Sequence, residues 1–122
     1  MFRFERFEVW QRAISFADNI YACTRKFPRD ERFGLTSQMR RAAVSVSSNI
    51  AEGSSRSSDK DFARFVEVAY GSLMEVVSQS FVSTRQSFIE QPQFQIIYGE
   101  AEQIAGKLSA LRNTLTKGSD SG

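Results

Sequence analysis

Residues 94–115 read FQIIYGEAEQIAGKLSALRNTL, and the spacing of their apolar side chains decides the fold class. Seven apolar residues recur here at alternating steps of three and four: Phe94, Ile97, Ala101, Ile104, Leu108, Leu111 and Leu115. Such steps place side chains on one face of an α-helix, which has about 3.6 residues per turn. The stretch therefore predicts a long amphipathic helix over residues 92–116, with Pro92 at a position that tolerates the missing amide proton.

Three further segments show the same helical period, over residues 8–27, 35–53 and 58–88. Pro28 is expected to end the first helix, because proline disfavours helical angles in the residue before it. Gly53 is the expected stop of the second helix, and the Ser58 hydroxyl is expected to cap the third. Short connections between long helices predict an all-α, antiparallel up-down-up-down four-helix bundle. Residues 1–122 then form a single domain with a short tail at residues 117–122.

The composition makes several kinds of chemistry improbable. The 122 residues include no histidine, the side chain used most often for proton transfer near neutral pH and for binding transition metals. The single cysteine, Cys23, lies on the apolar stripe of the first helix and is expected to be an inert core thiol. No glycine-rich phosphate loop is present. We therefore expect a protein that is not an enzyme, with no catalytic residues, no metal and no cofactor.

The sequence also carries no sign of a membrane address. Charged residues interrupt the N-terminal segment MFRFERFEVW, and no stretch approaches the roughly 20 apolar residues that a membrane span needs. A cytoplasmic protein with no membrane partner is the expectation.

Two helices carry more apolar or small residues than one bundle core requires. Val44 and Ala51 point away from the predicted core face of the second helix, and Phe65 flanks the core stripe of the third. These residues predict an interface between copies of the chain. The alternative is that the wide apolar arcs belong to one well-packed subunit.

A line of polar residues runs along the second and third helices. On the second helix its members are Arg40, Arg41, Ser45, Ser48, Asn49 and Glu52, and on the third helix they are Ser72, Glu75 and Gln79. In one interpretation this is a structural seam, within or between subunits, in which Arg40 or Arg41 pairs with Glu52 or Glu75. In the other, the two arginines face a phosphate backbone.

Basic residues are unevenly distributed. The net charge is only +2, but residues 1–41 carry nine Arg or Lys against five Asp or Glu. A second basic group surrounds the first connection: Arg25, Lys26, Arg29 and Arg32. Asp30 and Glu31 dilute its charge. With Arg40 and Arg41, this group forms the candidate nucleic-acid-binding surface.

Three stretches resemble the small bacterial four-helix-bundle proteins encoded in 23S rRNA intervening sequences. They are FERFEVWQRA at residues 4–13, KFPRDERFGLTSQMRRAAVSVSSNIAEGSSR at residues 26–56 and KDFARFVEVAYGSLMEV at residues 60–76. The most specific part runs from Phe33 to Ala43 and continues from Ser48 to Gly53. Arg40, Arg41, Asn49 and Glu52 match positions that are characteristic of this family.

The resemblance implies an antiparallel four-helix bundle that assembles as a homopentameric ring. It also implies a relation to the accessory variability determinant of diversity-generating retroelements, a basic pentamer that binds nucleic acid and partners a reverse transcriptase. We therefore expect a homo-oligomer that binds RNA or a nucleoprotein through its arginines. The alternative is a ring that docks a partner protein without nucleic-acid contact.

Overall fold

The computed structural model describes residues 1–120, with side chains through Lys117, and contains four α-helices. They are α1 (Glu8–Thr24), α2 (Leu35–Ser54), α3 (Asp59–Arg85) and α4 (Gln91–Asp120). Two short 3-10 helices, Arg3–Arg6 and Arg29–Glu31, precede α1 and α2 respectively. Residues 1–120 include no β-strand, so the predicted all-α class is confirmed. None of the helices described is both long and apolar enough to cross a membrane.

The apolar stripes of the four helices meet in one core. In α4, six of the seven predicted stripe residues are buried, and Leu111 packs against them in a partly buried position. Each fully buried large side chain is worth about 1.5–3 kcal/mol relative to an exposed one. The largest fully buried side chains are Phe16, Ile20, Met39, Val46, Ile50, Phe62, Val66, Leu73, Val76, Ile97, Ile104 and Leu108.

Helices α1 and α4 end at different residues from the predicted ones. Helix α1 ends at Thr24 rather than at residue 27, since the amide of Phe27 bonds to the Thr24 carbonyl as the chain turns towards Pro28. Helix α4 continues through Asp120, so most of the predicted tail is helical. Residues 121–122 of that tail lie outside the described residues.

Helix α3 begins as predicted and ends earlier. Ser58 accepts a hydrogen bond from the Asp61 amide at 3.1 Å, which confirms its capping role. The helix ends at Arg85 rather than at residue 88, because Ser87 adopts a left-handed conformation with φ of 66°. The Phe88 amide then reaches back to the Ser83 carbonyl at 2.8 Å, the bond that defines a Schellman turn.

Gly53 has a different role from the predicted one. It lies inside the last turn of α2, which runs to Ser54, and it is buried. A Cβ atom at this position would lie 2.7 Å from the Cβ of Phe65 and 2.8 Å from the Cδ1 of Phe62. Gly53 is therefore the point where α2 and α3 come close together, and it does not terminate the helix.

Consecutive helices pack on one another, and α1 also packs on α4. Contacts between side chains mark two of these interfaces. Between α1 and α4 the polar pairs are Glu8–Lys107, Arg12–Gln103 and Asn19–Glu100. Between α2 and α3 the contacts include Gln38–Gln79, Ser45–Ser72 and Gly53–Phe62.

The N-terminal segment is attached to the end of α2. The Nη1 of Arg3 donates to the Ser54 carbonyl at 3.2 Å, and its guanidinium carbon lies 5.4 Å from the centre of the Phe62 ring. A cation at a helix C-terminus is favourable, since the last carbonyls carry partial negative charge. Arg3 thereby joins the first residues of the chain to the interface between α2 and α3.

Candidate functional site

An open cleft of about 600 Å³ lies at the connection between α1 and α2. Four arginines line it: Arg25, Arg29, Arg32 and Arg40. Its other lining residues are Thr24, Phe27, Pro28 and Thr36. We call this the arginine cleft. Its opening has room for a phosphate group and the atoms around it, and guanidinium groups bind phosphate through paired N–H donors.

Local structure sets where these arginines lie. Arg25 follows the last residue of α1. Pro28 directs the chain into the 3-10 helix Arg29–Glu31, and the amide of Arg32 bonds to the Arg29 carbonyl at 3.1 Å. Arg25, Arg29 and Arg32 are exposed, as expected of side chains at a connection. The structure thus gathers three of the four predicted basic residues of this connection into one cleft.

Arg40 is anchored to the end of α1. Its Nε donates to the Thr24 Oγ1 at 2.8 Å, and its Nη2 donates a longer bond, 3.4 Å, to the Tyr21 carbonyl. The guanidinium carbon also lies 4.6 Å from the centre of the Tyr21 ring, within cation–π range. Arg40 is half-buried, and its positive charge lies at the C-terminal end of α1, where it is favourable.

The acidic residues next to the arginine cleft, Asp30 and Glu31, form no described ion pair with its arginines. Glu31, the nearest in sequence to Arg32, uses its Oε1 to accept a bond from the Leu35 amide at 3.2 Å, which caps α2. Asp30 is exposed. Within the part of the chain whose side chains are described, none of the four cleft arginines forms an ion pair. A cluster of guanidinium groups that form no ion pairs is a suitable site for an anion.

Lys26 and Arg41 do not line this cleft. Lys26 lies at another surface depression, with Cys23 and Phe88. There, burial raises the pKa of the Cys23 thiol, and the positive charge of Lys26 partly offsets the increase. Arg41 is exposed, and it lies about 100° around α2 from Arg40, so the two neighbours in sequence face different sides. Lys26 and Arg41 thus lie outside the cleft that the other four predicted basic residues line.

The polar line on α2 and α3 is hydrogen-bonded, but without the predicted ion pairs within the subunit. The hydroxyls of Ser45 and Ser72 share a bond of 2.8 Å between the two helices. Asn49 donates to the Ser45 carbonyl at 2.8 Å. Glu52 pairs with Arg56 at 3.2 Å, one turn further along α2, instead of with Arg40 or Arg41. Arg40 points towards α1, and pairing of Arg40 or Arg41 with Glu52 or Glu75 between subunits stays a prediction.

Glu75 lies on the outer side of α3, and its carboxylate is exposed. It forms no ion pair with any described side chain of the same subunit. A contact between Glu75 and an arginine of another copy stays a prediction.

The residues predicted for an interface between copies are accessible to different degrees. Val44 is 41% exposed on the outer side of α2, next to the small residue Ser48. Ala51 is half-buried. Phe65 is also half-buried, since the guanidinium carbon of Arg56 lies 4.6 Å from its ring centre. Val44 is therefore the most exposed of the three.

Two aromatic residues beside the arginine cleft were missed by the sequence analysis. Tyr21 lies under Arg40, and Phe33 is 87% exposed with the Arg32 guanidinium carbon 5.3 Å from its ring centre. The available signal for Phe33 was its position, between Arg32 and Gly34 and outside every apolar stripe.

The described residues contain no group of three His, Cys, Asp or Glu side chains that could hold a metal ion.

Comparison with known proteins shows a family and a similar solved fold. The family model described as 23S rRNA-intervening sequence protein matches residues 5–110. A crystal structure from Bacteroides thetaiotaomicron, of a protein with unknown function from the S23 ribosomal protein family, superposes with a TM-score of 0.79. It is 21% identical and covers 85% of this chain and 97% of its own, so the likeness concerns the fold. No curated protein matches the chain.

Proposed function

This chain belongs to the 23S rRNA-intervening sequence protein family, and on that premise we propose that it is a homo-oligomeric helical bundle that binds RNA or a nucleoprotein. The arginine cleft is the proposed contact surface. The function is binding, without a catalytic step, and its proposed location is the cytoplasm.

The observation that carries the proposal is the set of four arginines in one cleft with no carboxylate partner among the described side chains. A guanidinium group at a surface is usually compensated by nearby carboxylates or left to solvent, and four of them converging on one opening create a local positive potential. The backbone of a nucleic acid matches this potential, because it presents one negative charge at each phosphodiester group. Lys26, at the depression with Cys23 and Phe88, would add a contact at the edge of a longer ligand.

The proposed topology of the bundle is up-down-up-down, with each helix antiparallel to the next. Pairs of contacting residues support it. As residue numbers rise in α2, the partners in α3 fall, from Gln38–Gln79 to Ser45–Ser72 and Gly53–Phe62. The same holds for α1 against α4, from Glu8–Lys107 to Asn19–Glu100.

The oligomer is proposed to be a ring of five, the number that the family resemblance implies. Its proposed contact surface includes Val44, Ala51 and Phe65. Val44 supports it best, since it exposes a branched apolar side chain beside small residues that let another helix come close. Arg41 and Glu75, both exposed, are candidates for an ion pair between copies.

Titration of a fluorescent single-stranded RNA against the protein at several salt concentrations tests the binding proposal. Affinity should fall as salt rises, with a logarithmic slope of about 0.7 for each phosphate neutralised on a single strand. The double variant Arg29→Ala/Arg32→Ala should bind more weakly and with a smaller slope. Lys60→Ala/Arg64→Ala, which removes the same charge from the start of α3, is the matched control. Binding that is absent at low salt, or insensitive to salt, overturns the proposal.

Light scattering tests the oligomer. A particle several times the subunit mass is expected at micromolar concentration, and Val44→Glu should reduce its size. Ile96→Glu, an equivalent change at an exposed apolar residue of α4, is the control and should leave the size unchanged. A particle with the mass of one subunit contradicts the proposal.

A partner protein is the second candidate ligand. Exposed apolar side chains favour it, above all Val68 on α3 and Ile96 on α4, each 53% exposed. Co-purification of a stoichiometric protein that resists nuclease treatment, together with no RNA affinity, would support this candidate over the first.

A further inference from the structure

Phe33 is an aromatic side chain that folding leaves in water. Burial of a phenylalanine side chain is favourable, yet Phe33 is 87% exposed. It follows Arg32, which lines the arginine cleft and whose guanidinium carbon lies 5.3 Å from the centre of the Phe33 ring. Arg32 therefore belongs both to the basic cleft and to the surroundings of the exposed ring.

The backbone that carries Phe33 is held in place. Three successive backbone bonds shape it: Glu31 to Pro28 at 2.9 Å, Arg32 to Arg29 at 3.1 Å and Gly34 to Glu31 at 3.0 Å. The Glu31 side chain adds a fourth bond, to the Leu35 amide. The conformational entropy of this connection is thus lost during folding, so a ligand that contacts the ring does not have to order the chain.

We propose that Phe33 is a stacking platform for one unpaired base, and that the cleft arginines hold the phosphates next to it. The proposed ligand is consequently a single-stranded nucleic acid. This inference rests on the proposed function and specifies its ligand.

Duplex and single strand differ in what they offer this surface. Both present phosphates to Arg25, Arg29 and Arg32, but the bases of a duplex are stacked on one another and their faces are not available. A single strand can turn a base onto an exposed aromatic ring while its backbone lies along a basic groove. Stacking on one aromatic side chain typically contributes about 5- to 150-fold in affinity.

The arrangement also predicts low sequence preference. Every base has a flat face that can stack, whereas discrimination between bases needs hydrogen bonds to their edges. Phe33 has no polar atom with which to make such bonds. Recognition would therefore depend on whether a base is free.

The experiment compares three fluorescent probes at several salt concentrations: a 12-nucleotide oligouridylate, an abasic 12-mer with the same phosphates, and a 12-base-pair RNA duplex. The native protein should bind the oligouridylate about 5- to 150-fold more tightly than the abasic strand. Phe33→Ala should lose most of this difference and keep the salt slope, because the arginines remain. Phe33→Trp should keep the difference in affinity between the oligouridylate and the abasic strand, because it retains an aromatic ring. Phe2→Ala, which removes an exposed ring distant in sequence, is the control.

The outcomes separate this inference from the proposed function. Equal, salt-dependent affinity for oligouridylate and the abasic strand overturns the stacking platform and leaves the phosphate-binding cleft intact. Tighter binding of the duplex does the same. Absence of salt-dependent binding to all three probes overturns both proposals. A change in particle mass for Phe33→Ala by light scattering would assign the ring to a contact between copies and also overturn the inference.

Discussion

Arg40 donates a hydrogen bond from its Nε to the Thr24 Oγ1, 2.8 Å away, across the interface between the last turn of α1 and the first half of α2. Thr24 is buried, and its hydroxyl in turn donates to the Ile20 carbonyl at 2.7 Å. Arg40 therefore has a structural role in the subunit as well as a place in the arginine cleft.

Arg40→Ala should lower the free energy of unfolding by about 2 kcal/mol, because it removes a charge-assisted hydrogen bond and the contact with the Tyr21 ring. Arg41→Ala is the matched control, since it removes the same side chain from an exposed position one residue later, and it should change stability by less than about 0.5 kcal/mol. Urea denaturation of the two variants measures the difference. Equal losses would contradict the structural role of Arg40.

Gly53→Ala should destabilise the protein by about 1–3 kcal/mol, because the new methyl group would be forced against Phe62 and Phe65. Gly71→Ala, in the exposed part of α3 with no atom within 4 Å of the added Cβ, should instead stabilise by about 0.5–1 kcal/mol. Thermal or urea unfolding of both variants provides the comparison. If both substitutions stabilised the protein, the close approach of α2 and α3 at Gly53 would be wrong.

Cys23 should react slowly with a thiol reagent at neutral pH. The side chain is only 8% exposed, and burial raises the pKa of its thiol, so little of the reactive thiolate is accessible. Reaction in urea should be much faster. Since the chain has one cysteine, the absorbance change reports on this site alone. A native rate equal to the rate in urea would mean that Cys23 is not a core thiol.

Glu8 should contribute to stability in a pH-dependent manner. Hydrogen bonds from Arg12 and Lys107 lower the pKa of its carboxyl below the ordinary value of 4.5. A lowered pKa in the folded state means stabilisation that is fully present above pH 4.5 and is lost as the pH falls through the folded-state pKa. The carboxylate is exposed, so the effect should be small and should weaken further in high salt.

The measurement is the difference in unfolding midpoint between the native protein and Glu8→Gln at pH 7 and at pH 3. A difference at pH 7 that disappears at pH 3 is expected. Glu102→Gln, at an exposed carboxylate of α4 outside the described ion pairs, is the control. A Glu8→Gln difference that is the same at both pH values would contradict the ion pairs.

Local patterns in the sequence were sufficient for much of the fold. Apolar spacing predicted the four helices, and the cap at Ser58 was recognisable because it depends on residues within one turn. Gly53 was misinterpreted because a glycine near a helix end ordinarily marks its stop, while its actual neighbours, Phe62 and Phe65, lie on the next helix. Contacts of this kind depend on how two helices approach each other, which spacing within one helix does not determine.

The candidate site was predictable to the same extent. Arg25, Arg29 and Arg32 are close in sequence, so their shared location follows from the connection itself. The partner of Arg40 was not predictable, since the choice among Thr24, Glu52 and Glu75 depends on the direction in which the side chain leaves α2. The exposure of Phe33 was not predictable either, because most phenylalanine side chains in folded proteins are buried.

The interface between α2 and α3 and the interface between α1 and α4 are held together by different kinds of contact. Helices α2 and α3 meet backbone to side chain at Gly53, whereas the outer edge between α1 and α4 is closed by Glu8, Arg12 and Asn19 with partners on α4. Water can replace the exposed contacts of Glu8 and Arg12 at little cost. Deuterium should therefore enter the amides of α1 and α4 before those of α2 and α3, and the molecule should open first along the edge opposite its tightest helix pair.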